Sequence, residues 1–258
     1  MSPQWAQQQG FGVRVEWGRA GAAAIGAGAA CVVVIDVLSF TTSVSIATAA
    51  GTVVYPYRWR DESARAFAAE HRAALAVGRR EAGPDAPWSL SPAALRRAPV
   101  TERLVLPSPN GSAIATTVRD TPVVAACLRN VAAVAAWLVD QDGWGGVDRP
   151  IAVVPAGEQW PGTETVRPAI EDWLGAGALV TALSERGIGA LSPEARAAAS
   201  TFRGTPAMAE LITDSASGRE LAAIGFADDV ALAVDLDADH TVPVLLDGAF
   251  TDIRSGTR

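Results

Sequence analysis

Apolar and polar residues form alternating blocks along the chain, and these blocks predict strands and helices in turn. Residues 31–37 form a run rich in β-branched residues that ends near Asp36, which is typical of a buried strand. Short apolar runs at 102–108, 122–127 and 151–157 are each followed by a helical pattern. Because strands that alternate with helices usually build parallel units, the pattern predicts an α/β fold with three α/β/α layers and a mostly parallel mixed sheet.

Local signals predict several further elements. The segment containing Pro56 is expected to be a strand near a sheet edge, because proline cannot donate to the ladder. Asp61 is a plausible cap for an amphipathic helix, and Pro168 is expected to open a long helix. Near the C-terminus, residues 231–235 and 241–246 are predicted to be late strands.

Residues 78–100 interrupt the alternation with a segment rich in Gly, Pro and Arg. Irregular segments of this length inside compact domains are usually functional or disordered. We expect the part from Gly78 to Pro92 to close over a substrate and to supply Arg80. A solvated surface loop is the alternative explanation.

Composition narrows the possible chemistry. The chain has 258 residues, fits one domain over 1–258, and carries a net charge of −7, which disfavours nucleic-acid binding. No apolar run approaches a membrane span and no convincing signal peptide is present, so we expect a cytoplasmic protein without membrane partners. All 21 basic residues are arginine, which excludes lysine Schiff-base chemistry and a P-loop. Cys31 and Cys127 are expected to be buried thiols, and both histidines are expected to be solvated.

Polar residues follow four of the predicted strands, where ligands bind in open α/β sheets. Hydroxyls, amides and helix amino termini suit a phosphate, and carboxylates with hydroxyl neighbours suit Mg²⁺. Each residue also has a local explanation, such as a helix cap, a turn or an acid at a helix start. The residues, in chain order, are Asp36, Ser39, Thr41, Thr42, Ser108, Asn110, Gly111, Ser112, Asn130, Gly157, Glu171 and Asp172.

The ordered combination of sequence blocks from residue 31 to about 245 resembles the 2-phosphosulfolactate phosphatase family. The resemblance implies a compact α/β/α fold with a mixed sheet. It also implies magnesium-dependent hydrolysis of a phosphate ester on a sulfonated lactate, a step toward coenzyme M in organisms that make it. The blocks are VVVIDVLSFTTSVSIATAAG, LPSPNGSAIA, ACLRNVAAVAAWL, IAVVPAG with EDWLGAGALVTAL, and GRELAAIGFADDVALAVDLDADHTVPVL.

The chain departs from the family pattern at positions that bear on anion and metal binding. Arg80 and Ser91 match the pattern, and Arg79 with nearby Glu81 could compensate for the lost charges. The departures are Ser39 and Phe40 for an arginine and an alanine, Arg79 for an acid, Leu90 for an asparagine, and Pro155 for a common cysteine.

The resemblance and the strand ends together predict an active site. Its substrate is a small anionic phosphorylated acid, its cofactor is Mg²⁺, and a homodimer is compatible with the sequence. The assigned residues are Asp36, Asn110 and Arg80 as catalytic; Ser39, Thr41, Thr42, Ser91, Gly111, Ser112 and Asn130 as substrate-binding; and Asp36, Glu171 and Asp172 as metal ligands.

Three readings of the function stay open at this point. The first is a metal-dependent phosphatase, in which either a water or Asp36 attacks the phosphorus. The second is a non-catalytic family member that binds an anionic metabolite. The third is a related hydrolase or lyase acting on a different phosphorylated acid.

Overall fold

The computed structural model describes residues 4–59, 61–118 and 120–254. Within them, eleven strands and eleven α helices alternate along much of the chain. The strands are β1 (Val13–Val15), β2 (Cys31–Ile35), β3 (Val53–Tyr57), β4 (Ala74–Leu75), β5 (Arg103–Pro107), β6 (Val123–Ala126), β7 (Ile151–Pro155), β8 (Glu158–Gln159), β9 (Val166–Arg167), β10 (Pro243–Leu246) and β11 (Ala249–Asp252). The helices are α1 (Gly18–Ile25), α2 (Phe40–Ala49), α3 (Glu62–Glu70), α4 (Pro92–Arg97), α5 (Gly111–Ala115), α6 (Val131–Val139), α7 (Ile170–Glu185), α8 (Pro193–Arg203), α9 (Met208–Asp214), α10 (Ala216–Ala223) and α11 (Ala227–Ala233).

Nine strands form one mixed sheet in the order β1-β7-β2-β6-β10-β11-β3-β5-β4. Strands β1, β7, β2 and β6 are mutually parallel, and β3, β5 and β4 form a second parallel group. The antiparallel hairpin β10–β11 joins the two groups. Strands β8 and β9 form a separate hairpin directly after β7.

Helices cover the central strands on both faces, which confirms the predicted three layers. Val33 and Ile35 of β2 belong to a buried cluster with α6, α7 and α8. Val32 and Val34 of the same strand pack into a second cluster with α1, α2 and α5. The alternation of side chains along a strand therefore places successive residues of β2 in two different cores.

Three local predictions differ from the structure. Strand β3 lies inside the sheet, and Pro56 is accommodated because β11 pairs with β3 only at Val54. Helix α7 begins at Ile170, so Pro168 precedes the helix instead of opening it. Residues 231–235 belong mostly to the end of α11, a short helix whose alternating apolar pattern was read as a strand. The predicted cap of α3 is confirmed, because the Asp61 side chain accepts a hydrogen bond from the Ser63 amide.

Several helices begin close to the carboxyl ends of the central strands. Helix α2 starts five residues after β2, and α7 follows the β8–β9 hairpin that leaves β7. Helix α5 follows β5 and reaches α2. Among the described residues, no helix has both the length and the hydropathy required to span a bilayer.

Candidate active site

Asp36, the first residue after β2, lies at the centre of a buried polar cluster. Only 5% of its surface is exposed. Its Oδ1 accepts a hydrogen bond of 3.0 Å from the Phe40 amide, and its Oδ2 accepts one of 2.8 Å from the Gly111 amide. The carboxylate thus caps the start of α2 and also ties that helix to α5. The local explanation of Asp36 as a helix-start acceptor is therefore met by the structure.

Gly111 is required for that contact because the backbone approaches Asp36 too closely for a side chain. A Cβ atom at this position would lie 2.4 Å from Phe40 Cδ1 and 2.7 Å from Asp36 Oδ2. The close contact is with the carboxylate and a phenyl ring. The Gly111 amide donates to Asp36, so it is not free to bind a phosphate as the substrate-binding assignment of Gly111 expects.

Glu171 and Asp172 are both buried at the start of α7, but their environments differ. Asp172 accepts hydrogen bonds of 2.8 Å from the Val37 amide and 2.9 Å from the Gly157 amide. It therefore joins the segments that follow β2 and β7. In contrast, Glu171 Oε2 is buried without a hydrogen-bond partner. Because adjacent helical residues point about 100° apart, one acid supports the backbone while the other is left unpaired.

Glu158 is a fourth acid in this region, and the sequence analysis did not select it. It follows β7, and its Oε2 accepts a hydrogen bond of 2.8 Å from Asn110 Nδ2. Asn110 therefore orients an acid instead of standing free at the helix start. The signal that could have identified Glu158 is its place just beyond the carboxyl end of a central strand.

Three of these acids, Asp36, Glu158 and Asp172, have pKa values above their ordinary range. Burial raises the pKa of Asp36 to about 6; the Phe40 and Gly111 hydrogen bonds oppose the rise and the Glu171 charge adds to it. Burial, followed by the charge of Asp36, raises the pKa of Glu158 to about 7. Burial, followed by the charges of Asp36 and Glu171, raises the pKa of Asp172 well above its ordinary value. A cation placed among these groups would relieve this repulsion.

Arg79, and not Arg80, reaches the cluster from the irregular segment after β4. Its Nη2 donates to Ser39 Oγ at 2.6 Å, and its Nε pairs with Asp229 Oδ2 at 3.2 Å. Its charge lowers the pKa of Asp36, although this is the smallest of the effects on that residue. Arg80 is exposed. The structure thus brings the added arginine, and not the retained one, to the carboxylates.

Asp229 of α11 is fully buried and holds the irregular segment in place. It accepts hydrogen bonds from Ser91 Oγ and, at 3.1 Å, from the Ala93 amide, in addition to its pair with Arg79. Ser91 also caps α4 by accepting from the Ala94 amide. Asp229 lies within the last family-like block and is not among the predicted site residues.

Several predicted substrate-binding residues use their polar groups within the fold instead. Thr41 and Thr42 donate to the carbonyls of Asp36 and Val37, and both side chains are buried. Ser112 donates to the Tyr57 carbonyl. These hydroxyls shape the turn after β2 and the start of α5, and they are not directed at open space.

Asn130 has the same kind of role on the neighbouring strand. Its side chain is fully buried, its Oδ1 accepts from the Cys127 amide, and its Nδ2 donates to the Ala125 and Thr241 carbonyls. Its Oδ1 also accepts from the Cys127 thiol, so both ends of the amide are already engaged within the fold.

The acids of this cluster fit Mg²⁺ only in part. Among residues 4–59, 61–118 and 120–254, no three His, Cys, Asp or Glu side chains converge as a metal-binding group. The predicted trio is not assembled as direct ligands, because both oxygens of Asp172 and both oxygens of Asp36 already accept backbone hydrogen bonds. The arrangement fits an ion that takes one or two carboxylates and completes its shell with water and phosphate oxygens. Glu171 suits it best because its buried Oε2 has no partner, whereas Asp36 would bind the ion through the lone pairs left beside its two amide hydrogen bonds.

A pocket of about 380 Å³ opens beside this cluster. Asn110 and Glu158 form part of its wall, together with residues of α1 and α5. Its volume is within the range of small-molecule sites. Another pocket, of about 350 Å³, lies at the C-terminal end of α2 and is lined by none of the four acids.

The chain is similar in sequence to known proteins. The sequence model of the 2-phosphosulpholactate phosphatase family matches residues 23–248. A Thermotoga petrophila protein named "Probable 2-phosphosulfolactate phosphatase" is 30% identical over 223 residues, covering 84% of this chain and 90% of that protein. A Thermotoga maritima protein of the same name is 29% identical over the same coverage. The chain therefore belongs to the 2-phosphosulfolactate phosphatase family, a family of phosphoric monoester hydrolases.

Proposed function

We propose that this protein is a magnesium-dependent phosphatase that hydrolyses 2-phosphosulfolactate or a closely related phosphorylated acid. The observation that carries the proposal is the buried acid cluster beside a pocket, in which Glu171 Oε2 has no partner. A buried, unpaired carboxylate oxygen is costly unless a ligand completes its environment. The family membership supplies the reaction class.

Glu171 and Asp36 are the proposed magnesium ligands. When bound, the ion would neutralise the phosphate charge and polarise its oxygens. Asp172 holds the Val37 and Gly157 amides, so it fixes the two segments that carry Asp36 and Glu158. Because both Asp36 oxygens already accept amide hydrogen bonds, a water nucleophile is favoured over attack by Asp36 itself.

Glu158 is the proposed proton-transfer group. It lines the pocket, and Asn110 holds one of its oxygens in place. A carboxyl group with a pKa of about 7 is protonated in a substantial fraction of molecules near neutral pH. It can then give its proton to the alcohol oxygen that leaves when the ester bond to phosphorus breaks. An acid of ordinary pKa would be too weakly protonated for this role.

Arg79 is the proposed cation for the phosphate oxygens, in place of Arg80. Its contact with Ser39 is informative, because the family pattern has an arginine at position 39 and an acid at position 79. In this chain, position 79 thus supplies the arginine that position 39 supplies in the family pattern. Asp229 orients the guanidinium and leaves donors available for an anion.

A phosphate-release screen with purified protein tests this proposal. The panel contains 2-phosphosulfolactate, 2-phospholactate, phosphoglycerates and glycerol 2-phosphate, each with Mg²⁺ and with EDTA. We expect magnesium-dependent release from 2-phosphosulfolactate or a related phospho-acid. Binding of these acids without phosphate release from any of them would favour the non-catalytic alternative and contradict the proposal.

A further inference from the structure

The pocket beside Glu158 is lined by an arginine whose Nε has no hydrogen-bond partner among the described residues. Arg19, the second residue of α1, forms part of the pocket wall. Its Nε is buried and has no hydrogen-bond partner among the described residues. A guanidinium nitrogen that is removed from water without an acceptor is unfavourable, and it is an available donor for an anion.

The rest of the pocket shows where such an anion would be placed. Ala23 of α1, together with Ile114 of α5, provides apolar wall, while Asn110 and Glu158 connect the pocket to the acid cluster. The other acid in the wall, Glu164, is mostly exposed and pairs with Arg58 at 3.6 Å. Arg19 is therefore a free cation on the substrate side of the acid cluster.

We propose that Arg19 binds a second anionic group of the substrate, a carboxylate or a sulfonate, while the phosphate lies at the acid cluster. This inference rests on the proposed function and extends it to substrate choice. A planar guanidinium can make two parallel hydrogen bonds to either anion. Arg19 would thus select phosphate esters whose organic part is itself charged. It precedes the residues matched by the family model, so it is a feature of this chain beyond that match.

The test compares two substrates in wild type and in Arg19→Ala. For 2-phosphosulfolactate, we expect the KM to rise by about tenfold to a hundredfold, because a charge-assisted hydrogen bond is lost. For glycerol 2-phosphate, whose organic part is neutral, we expect no change in KM. Arg19→Lys keeps the charge without the planar fork. Its KM for 2-phosphosulfolactate should lie between those of wild type and Arg19→Ala. Arg65→Ala, which removes an exposed arginine of α3, is the matched control and should change neither value.

Calorimetric binding of sulfolactate, which lacks the phosphate, separates this inference from the proposed function. We expect binding to wild type that Arg19→Ala weakens about tenfold or more, whether or not the protein releases phosphate. If Arg19→Ala binds sulfolactate as wild type does, the inference is overturned even in an active enzyme. Equal increases in KM for the charged and the neutral substrate would overturn it too, since Arg19 would not then distinguish them.

Discussion

At the scale of single residues, the site consists of acids whose roles are set by their partners. Asp172 has both oxygens occupied by backbone amides, whereas Glu171 has a buried oxygen with none. The two residues are adjacent, both carry a carboxyl group, and both are buried. Their hydrogen bonds, and not their residue types, predict different consequences of substitution.

Glu171→Gln is expected to weaken magnesium activation strongly while the folded state stays as stable as wild type. The change removes a charge that has no hydrogen-bond partner, so nothing in the fold loses a contact. Asp172→Asn is expected to lower the free energy of unfolding by about 1–3 kcal/mol, because an amide cannot accept from both Val37 and Gly157. Magnesium titration of turnover and thermal melting of each variant measure the two effects. If the two variants changed magnesium activation and melting temperature in the same way, the different roles of Glu171 and Asp172 would be contradicted.

Glu158→Gln is expected to lower kcat by about a hundredfold or more if Glu158 transfers the proton to the leaving group. Asn110 can still bond the amide oxygen, so the local fold should be retained. The pH dependence of kcat between pH 6 and 8 should lose the limb that reflects a group with a pKa of about 7. A full-activity variant with an unchanged pH profile would exclude this role.

The sequence predicted part of this site at residue level. Asp36, Gly111 and the acidic pair were found because they follow strands, and in the structure they do lie together. Thr41 and Asn130 follow strands equally well, but their side chains turn back to the backbone. Strand-end position determines where a residue lies but not the direction of its side chain, which depends on packing.

At the scale of elements, α11 positions the irregular segment that carries Arg79. Asp229 is buried beneath that segment. Its carboxylate accepts hydrogen bonds from Arg79 and Ser91 of the segment and from the Ala93 amide of α4. The sequence predicted an irregular, arginine-rich segment at the site but favoured Arg80. Which of two adjacent arginines faces inward is decided by Asp229, which lies 150 residues further along the chain.

Asp229→Asn is expected to raise the KM for substrate and to lower the melting temperature, because it weakens the buried pair that orients Arg79. Breaking one partner of a buried pair costs about 3–5 kcal/mol when the other charge stays buried, and the amide retains part of the hydrogen bonding. Asp228→Asn is the control, since Asp228 is the neighbouring acid with a side chain 81% exposed and a distant pair with Arg97. Similar kinetics for the two variants would contradict a positioning role for Asp229.

At the scale of the whole molecule, two parallel groups of strands are joined by an antiparallel hairpin from the C-terminus. The sequence predicted the layers and the mostly parallel sheet because helix and strand patterns alternate. It could not predict that β10 and β11 insert between β6 and β3, since this pairing joins residues more than 100 positions apart. For the same reason, β3 was assigned to an edge on the local evidence of Pro56.

The acid cluster also predicts how stability depends on pH without metal. The pKa values of Asp36 and Glu158 in the folded state, about 6 and about 7, exceed the ordinary values of about 4. Between about pH 4 and pH 7, the folded state therefore binds more protons than the unfolded state does. The stability that these two acids contribute is fully present below about pH 4 and is lost as the pH rises to about 7. In EDTA, the decrease in melting temperature from pH 5 to pH 7.5 should be smaller in Glu158→Gln than in wild type.

Added Mg²⁺ should reverse this trend, because the ion competes with protons for the same carboxylates. We expect Mg²⁺ to raise the melting temperature of wild type more at pH 7.5 than at pH 5. The rise at pH 7.5 should be much smaller in Glu171→Gln. An equal rise at both pH values, or an equal rise in wild type and variant, would contradict a metal site at these acids.

The most direct measurement is phosphate release from 2-phosphosulfolactate by wild type and by Asp36→Asn across a magnesium titration. We expect that wild type turns over only with Mg²⁺ and that folded Asp36→Asn loses about a thousandfold or more in kcat. Asp61→Asn, which alters an exposed helix cap, should keep wild-type turnover. Folded Asp36→Asn that retains wild-type turnover and magnesium dependence would contradict an active site centred on Asp36.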